Sequence, residues 1–566
     1  MLLYSASSVR AIRPGQRPAP VAGQDGGRGV PAGMIAVPVD RLCAGGSTIA
    51  GAEEDAGAVR VAGADLVGGQ PAVFAAPVVT APVVRRRDGR VQADGHPGDY
   101  ARLGLLEDQL PTGLIEDLVA RHGVGEERRR GLTAAMAVRC VLMMVLAPNA
   151  GQREVMATVA GQLAYVPWAR PWQVPGGEVL SRHRARLGWA LFADLFTVVA
   201  RRNAVDADQL RPPPVAADTP AAGWLGDLLL CSGDGVLTRV ADGDNRDEFG
   251  SLGTGDDRSP YPQIRAVVIT VCVTRALLGA AVAACQTGEQ TLTRQIVTDQ
   301  PWVFTAGRCY LFDRNFLGAT LVEEILKTKA HLLMRMKAGI DLPNLGWLPD
   351  GSYRSRLRLP GGRSIPVRVV DYDVVPPGEA VTSGELFCLV TDLLDHQAYP
   401  AQALAAAYPW RWTGSETTFK ENKSTITDAG PSRGPILRSR TPDLVRQEFW
   451  AWLTATDLTR AAGRAAATVP PAATPTRPIR PLPARAVSFT ATLREVIRST
   501  VQTRDSIKEK VARTLRAQRI QLDRHRHRAR VTKARQTFPN AKPATVTVTG
   551  TADLLVRAVH PLPGGP

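Results

Sequence analysis

The sequence predicts a mixed α/β protein. Three observations carry that prediction. Between about residues 103 and 205 apolar residues recur at helical spacing, with no strand-like alternation. From about residue 221, apolar runs of strand length alternate with helical ones, the pattern of a sheet with helices packed on it. A proline break, "RPPPVAADTP" (211–220), separates the two patterns.

In chain order, residues 1–102 are rich in Gly, Ala, Pro and Val and read as a low-complexity, mostly disordered extension. Residues 103–210 read as a domain of four or five helices. "LPTGLIEDLVARHG" has a helical apolar face and a glycine stop, and "LTAAMAVRCVLMMVLAP" is a buried helix ending before Pro148. "GQREVMATVAGQL" and "SRHRARLGWALFADLFTVVARR" each read as one helix more. Residues 221–463 read as the α/β domain. "WLGDLLLCSGDGVLTRVAD", "YPQIRAVVITVCV" and "RALLGAAVAACQ" are three successive strands. "TLTRQIVTDQ" is a helix, "RCYLFDRNF" a short buried strand, "LGATLVEEILKTKA" a helix and "HLLMRMKAG" a strand. Strands dominate a β-rich stretch at about 330–398, and helices return at 401–426 and 441–463. A Pro-rich linker (464–486) leads to a basic, helical segment, 487–566.

Composition narrows the function. The 566 residues carry a formal charge of +16, which points to a polyanionic partner, nucleic acid before membrane. Residues 501–540 alone hold twelve Arg and Lys against three Asp and Glu, the composition of a salt-sensitive, sequence-independent DNA contact or of a solvated basic tail. The seven cysteines are scattered and form no CxxC pair, which argues against a zinc site or disulfide framework and fits a reducing cytoplasm. The longest apolar run is broken by Arg275, so no membrane span is expected.

Three carboxylates stand out. Asp234 follows an apolar strand, Asp313 ends another, and Glu416 lies in "YPWRWTGSETTFKENK" (408–423). Three hard oxygen donors at strand ends and on a neighbouring helix suit Mg²⁺ or Mn²⁺, and two such ions suit phosphodiester chemistry. Each residue also has a plainer reading. Asp234-Gly235 is a hairpin signal, Asp313 a strand-end or capping aspartate, and Thr413-Gly-Ser-Glu416 a capping box. On a helix, Glu416, Lys420 and Lys423 share one face, beside Tyr408, Arg411 and Trp412. That suits phosphates and an unpaired base as well as it suits a surface helix with Glu–Lys pairs and core aromatics.

Over about residues 105–460 the chain resembles the DDE transposases of the insertion-sequence-4 family. The segments that carry the resemblance are the helical run through "GQREVM", then "DGVLTRV", "YPQIRAVVIT", "GEQTLTRQI", "YLFDRNF" and "YPWRW…E". The family pattern is Tyr, two residues, Arg, three residues, Glu, six residues, Lys. Here four residues, Trp412 to Ser415, separate Arg411 from Glu416, and Val236 stands where the family usually has Thr. The resemblance implies an RNase H-like catalytic core with a β insertion at about 330–398. It implies that Asp234, Asp313 and Glu416 hold two metal ions, and that Tyr408, Arg411 and Lys423 contact DNA near the cut, with Trp412 and Lys420 beside them. It further implies a bacterial, nucleoid-associated enzyme acting on the inverted-repeat ends of its element and on target DNA, as a dimer when two ends are paired. A metal-dependent nuclease without joining activity and a decayed DNA-binding relic are the alternatives. A bulge or helix start within "WTGSE" would absorb the added residue.

Overall fold

The computed structural model describes residues 103–499 except 112, 127–130, 162–172, 211–221, 254–257, 338, 376–384, 417–435, 469–482, 484 and 485. Outside that span it describes residues 511, 514 and 515 and three short strands, β1 (Val84–Arg87), β2 (Arg90–Ala93) and, near the other end, Asp553–Val556.

A 3₁₀ turn, Gly104–Gln109, opens a run of five helices: α1 (Leu114–Arg121), α2 (Ala134–Leu146), α3 (Gln152–Ala160), α4 (Gly177–Leu187) and α5 (Ala190–Asp208). Thr133 caps α2, its hydroxyl accepting from the Met136 amide at 3.3 Å. The expected single helix "SRHRARLGWALFADLFTVVARR" is two, because Gly188 turns the chain with φ 68°. Buried Arg139 of α2 donates to Glu107 and Glu116, so its charge is paired within the helical layer.

The sheet follows. It comprises β3 (Trp224–Leu225), β4 (Leu228–Val240), β5 (Gln263–Val271), β6 (Leu277–Ala284), β7 (Arg308–Phe312), β8 (His331–Arg335), β9 (Gly346–Trp347), β10 (Tyr353–Arg358), β11 (Ser364–Val375) and β12 (Glu385–Thr391). The order is β6-β5-β4-β7-β8-β12-β11-β10-β9. β4, β5 and β6 run antiparallel, whereas β7 and β8 run parallel to β4. After a short helix α6 (Asn245–Phe249), the connecting helices are α7 (Glu289–Asp299) between β6 and β7, and α8 (Ala319–Lys327) between β7 and β8. Helix α9 (Ala401–Ala407) follows β12. A short strand β13 (Ile436–Leu437) pairs with the end of β4. Helices α10 (Pro442–Thr468) and α11 (Phe489–Ser499) close the described chain, and Asp553–Val556, β14, pairs with β11.

Alternation along the strands separates the two faces. On one face, Cys231, Val267, Ile269, Tyr310 and Phe312 pack with Leu292 and Ile296 of α7 and Leu321 and Ile325 of α8. The other face carries two cores. Val236, Ile264, Ala266 and Val268 join α2, α5, α10 and α11, while Leu230, Leu311, Leu333, Val370 and Leu389 join Leu404 of α9 and Tyr408. The helical layer thus shares a core with the sheet. Arg184 of α4 donates to Gln447 of α10 at 2.9 Å, and Gln447 donates back to the Arg184 and Gly188 carbonyls, each at 2.8 Å. All six described cysteines are free and buried. No helix among the described residues is long and apolar enough to cross a membrane.

Candidate active site

The site begins with two strands. In the β4–β7 ladder Ser232 stands opposite Leu311, so two residues further on Asp234 stands abreast of Asp313. In the β7–β8 ladder Phe312 stands opposite Met334, which brings Arg335 abreast of Asp313. Asp234, Asp313 and Arg335 therefore line up across three neighbouring parallel strands, Asp234 within β4 rather than at its end, Asp313 just past the end of β7 and Arg335 at the end of β8. By alternation all three project from the face that carries α9. Asp234 falls between the two cores of that face, after Leu230 and before Val236, and its side chain is 19% exposed.

The hairpin reading of Asp234-Gly235 does not hold. β4 runs unbroken through both residues because β5 pairs with it from Cys231 to Arg239. Asp234 Oδ1 accepts from the Gly235 amide at 2.9 Å. Asp313 Oδ1 accepts from the Asn315 amide at 2.7 Å, so its carboxylate closes the turn after β7.

The third expected carboxylate arrives through an irregular helix. Pro409 has no amide hydrogen, and α9 ends before it, at Ala407. The chain then coils again, and Trp412–Glu416 forms a π turn. Its Gly414 lies so close to β4 and β5 that a Cβ would fall 2.3 Å from Ser232 Oγ and 3.3 Å from Thr270 Oγ1. The Ser415 hydroxyl donates to Ser232 at 2.7 Å, and Ser232 lies 3.0 Å from the Thr270 hydroxyl. The backbone of Glu416 ends this turn, while its side chain and the whole of Lys420 and Lys423 lie outside the described residues.

Two of the residues expected to touch DNA, Tyr408 and Arg411, are buried. Tyr408 is 1% exposed, its hydroxyl donates to the Phe312 carbonyl at 3.1 Å, and burial pushes its phenol up to about 12. It holds the end of β7, next to Asp313. Arg411 is also buried, 3.8 Å from Asp234 Oδ2 and over the Trp412 ring at 5.2 Å. Trp412 is half-buried, edge-on to Tyr408 and Phe387. In this structure Tyr408 and Arg411 face the protein rather than solvent, because the π turn presses this stretch onto the sheet.

Two residues escaped the sequence reading. Arg335 lies over the Phe387 ring at 4.1 Å and bears electrostatically on Tyr408, as Asp313 does. Glu289, in the first turn of α7, approaches from the opposite face. Gly235 leaves it room, since a Cβ there would lie 1.9 Å from Glu289 Oε1. Burial first, and then the charge of Asp313, raise the Glu289 carboxyl above its ordinary value, against a smaller opposing pull from Arg265. The sequence signal for Glu289 was a carboxylate opening the helix after a third antiparallel strand. It gains meaning only once the strand order is known.

Among the described residues no three His, Cys, Asp or Glu side chains come together as a metal-binding group. Asp234 and Asp313 supply two oxygen donors side by side, the donor type that Mg²⁺ and Mn²⁺ accept, so the described part of the set is compatible with such an ion.

Residues 100–197 match the family model for the insertion element 4 transposase N-terminal region. Over 373 residues the chain is 25% identical to transposase InsG for insertion sequence element IS4 of Escherichia coli (strain K12), spanning 63% of this chain and 76% of that one. The chain is a relative of the insertion-sequence-4 transposases. Among solved structures it matches a piggyBac transposase synaptic complex with hairpin DNA at 12% identity, over 73% of this chain and 81% of that one. The TM-score of that match is 0.35.

Proposed function

We propose that this protein is a DNA transposase that cuts and joins the ends of its own mobile element by metal-dependent phosphoryl transfer, on an RNase H-like core. The observation that carries the reading is the pair Asp234 and Asp313, abreast on adjacent parallel strands, with the chain to Glu416 folded onto the same face. Three antiparallel strands followed by two parallel ones, with helices at both crossovers, support the RNase H-like assignment. The π turn supports Glu416 as the third carboxylate, because such a turn takes up one added residue within a helix.

In this reading Asp234, Asp313 and Glu416 hold Mg²⁺ or Mn²⁺, two ions per site. Bound ions of this kind activate a water or a 3′-hydroxyl and stabilise the leaving oxygen of a phosphodiester. The chain supplies position and charge. Arg411 offsets the charge of Asp234 from behind, and Tyr408 fixes the strand end that carries Asp313. Arg335 stands on the next strand as a cation for a flanking phosphate. Lys420, Lys423 and Trp412 contact the DNA end, residues 103–210 read its sequence, and the basic segment 501–540 adds affinity without sequence preference. Pairing of two ends requires two copies of the chain.

The test is cleavage and strand transfer on labelled DNA carrying the element's own ends, with Mg²⁺ or Mn²⁺. Wild type is expected to cut and join, whereas Asp234→Asn, Asp313→Asn and Glu416→Gln bind the ends and leave them intact. Cutting without joining of pre-cut ends identifies a nuclease instead, and binding without any metal-dependent product identifies a relic. Cleavage that survives Asp313→Asn overturns the site.

A further inference from the structure

We infer that Ser232, Thr270 and Ser415 form a buried hydroxyl latch that positions Glu416 relative to Asp234, closed by the π turn that ends at Glu416. The inference rests on the function proposed above.

The three side chains come from three elements. Ser232 is on β4, two residues before Asp234 and on the same face. Thr270 is on β5, directly opposite Ser232. Ser415 is in the π turn, immediately before Glu416. All three are fully buried. The chain of contacts runs from Ser415 to Ser232 at 2.7 Å and from Ser232 to Thr270 at 3.0 Å, with the Thr270 hydroxyl also 3.4 Å from the Ser232 carbonyl. Gly414 lets the backbone approach, because a Cβ there would meet Ser232 Oγ, Thr270 Oγ1 and Cys272 Sγ, the last at 3.1 Å.

Apolar side chains would fill this space without the desolvation cost of hydroxyls, so stability alone does not call for three of them. Hydrogen bonds add direction. A residue inserted into a regular α-helix rotates everything after it by about 100°. A π turn absorbs the insertion with little such rotation. Here the widened turn delivers the Ser415 hydroxyl to Ser232, which fixes the next residue, Glu416, to the strand that carries Asp234. These are positioning residues, acting through Glu416.

The test compares Ser232→Ala, Thr270→Val and Ser415→Ala, the double variant Ser232→Ala/Ser415→Ala, and deletion of Thr413, which shortens the π turn by one residue. Three quantities are measured: amide hydrogen exchange across 411–416, affinity for the element ends, and single-turnover cleavage. Each point variant is expected to speed exchange across 411–416, keep end affinity within about twofold and slow cleavage by about five- to tenfold, the scale of one hydrogen bond. The double variant is expected to be no slower than the worse single one, because all three hydroxyls act as a unit. The Thr413 deletion is expected to bind ends and lose cleavage at least 100-fold. If wild type cuts and the point variants cut equally fast, whatever their exchange, the latch has no positioning role and the inference fails alone. Full activity in the deletion overturns it as well. If wild type does not cut at all, the proposed function fails and takes this inference with it.

Discussion

Glu289 approaches the middle of β4 from the face opposite the Asp234 side chain, where Gly235 leaves it room. The glutamate is half-buried and feels the charge of Asp313, and both effects disfavour its ionised form. A carboxyl whose folded value is raised favours folding fully below its unfolded value, and that contribution is lost as pH rises through the folded value. The protein therefore carries a penalty at neutral pH that Glu289→Gln removes. The variant is expected to melt at a higher temperature than wild type at pH 7, with the gap closing as pH falls through the raised folded value and gone once pH is below the ordinary carboxylate value of about 4. Thermal unfolding at a series of pH values checks this, and an equal gap at every pH would contradict it. Asp234 and Asp313 stand out in the sequence because each follows an apolar run, although β4 continues past Asp234. Arg335 and Glu289 do not, because nothing local distinguishes them. Arg335 acquires its place from the β7–β8 register, and Glu289 from the missing side chain at Gly235.

Elements override local signals where two neighbours agree. An Asp-Gly pair favours a turn, yet β4 continues through it because β5 pairs along its whole central stretch. Gly188 splits what helical periodicity joined, because a left-handed residue ends α4. The π turn was legible only as a surplus residue, since its hydrogen-bond pattern depends on the hydroxyls of β4 and β5 beneath it. Helix α10 shows how tightly such elements are tied. Its fully buried Asp457 accepts from the Leu277 amide of β6 at 2.9 Å and from the Asn203 side chain of α5. Asp457→Ala leaves the Leu277 amide without this acceptor and Asn203 Nδ2 with only its bond to the Leu277 carbonyl. The loss is expected to be about 2–4 kcal/mol, read as a lower urea midpoint with little change in slope. A loss below roughly 0.5 kcal/mol would show that water replaces the carboxylate.

At the scale of the molecule, charge is the property the sequence stated most plainly. The formal charge of +16 is concentrated in residues 501–540, and four of those arginines are Arg524, Arg526, Arg528 and Arg530. Replacing these four with Gln is expected to weaken binding to any duplex. The slope of log affinity against log salt should become shallower by up to roughly 3.6, at about 0.9 for each phosphate no longer neutralised. An unchanged slope would assign this segment no role on DNA. The broad α/β architecture was legible from periodicity and proline breaks, whereas the sharing of one core by distant segments was not, since apolar periodicity does not say which faces meet. That shared core also bears on how such a protein changes over time. The helices before residue 210 bury their apolar faces against α10, from the far side of the sheet in sequence, and α4 and α10 exchange hydrogen bonds through Arg184 and Gln447. They are not a detachable module. Grafting the corresponding helices of a relative onto this chain would exchange half of a packed interior for one built to fit another partner. On the proposed reading of these helices as the part that reads the element ends, new specificity would come from substitutions on their outer surface rather than from exchange of the whole unit.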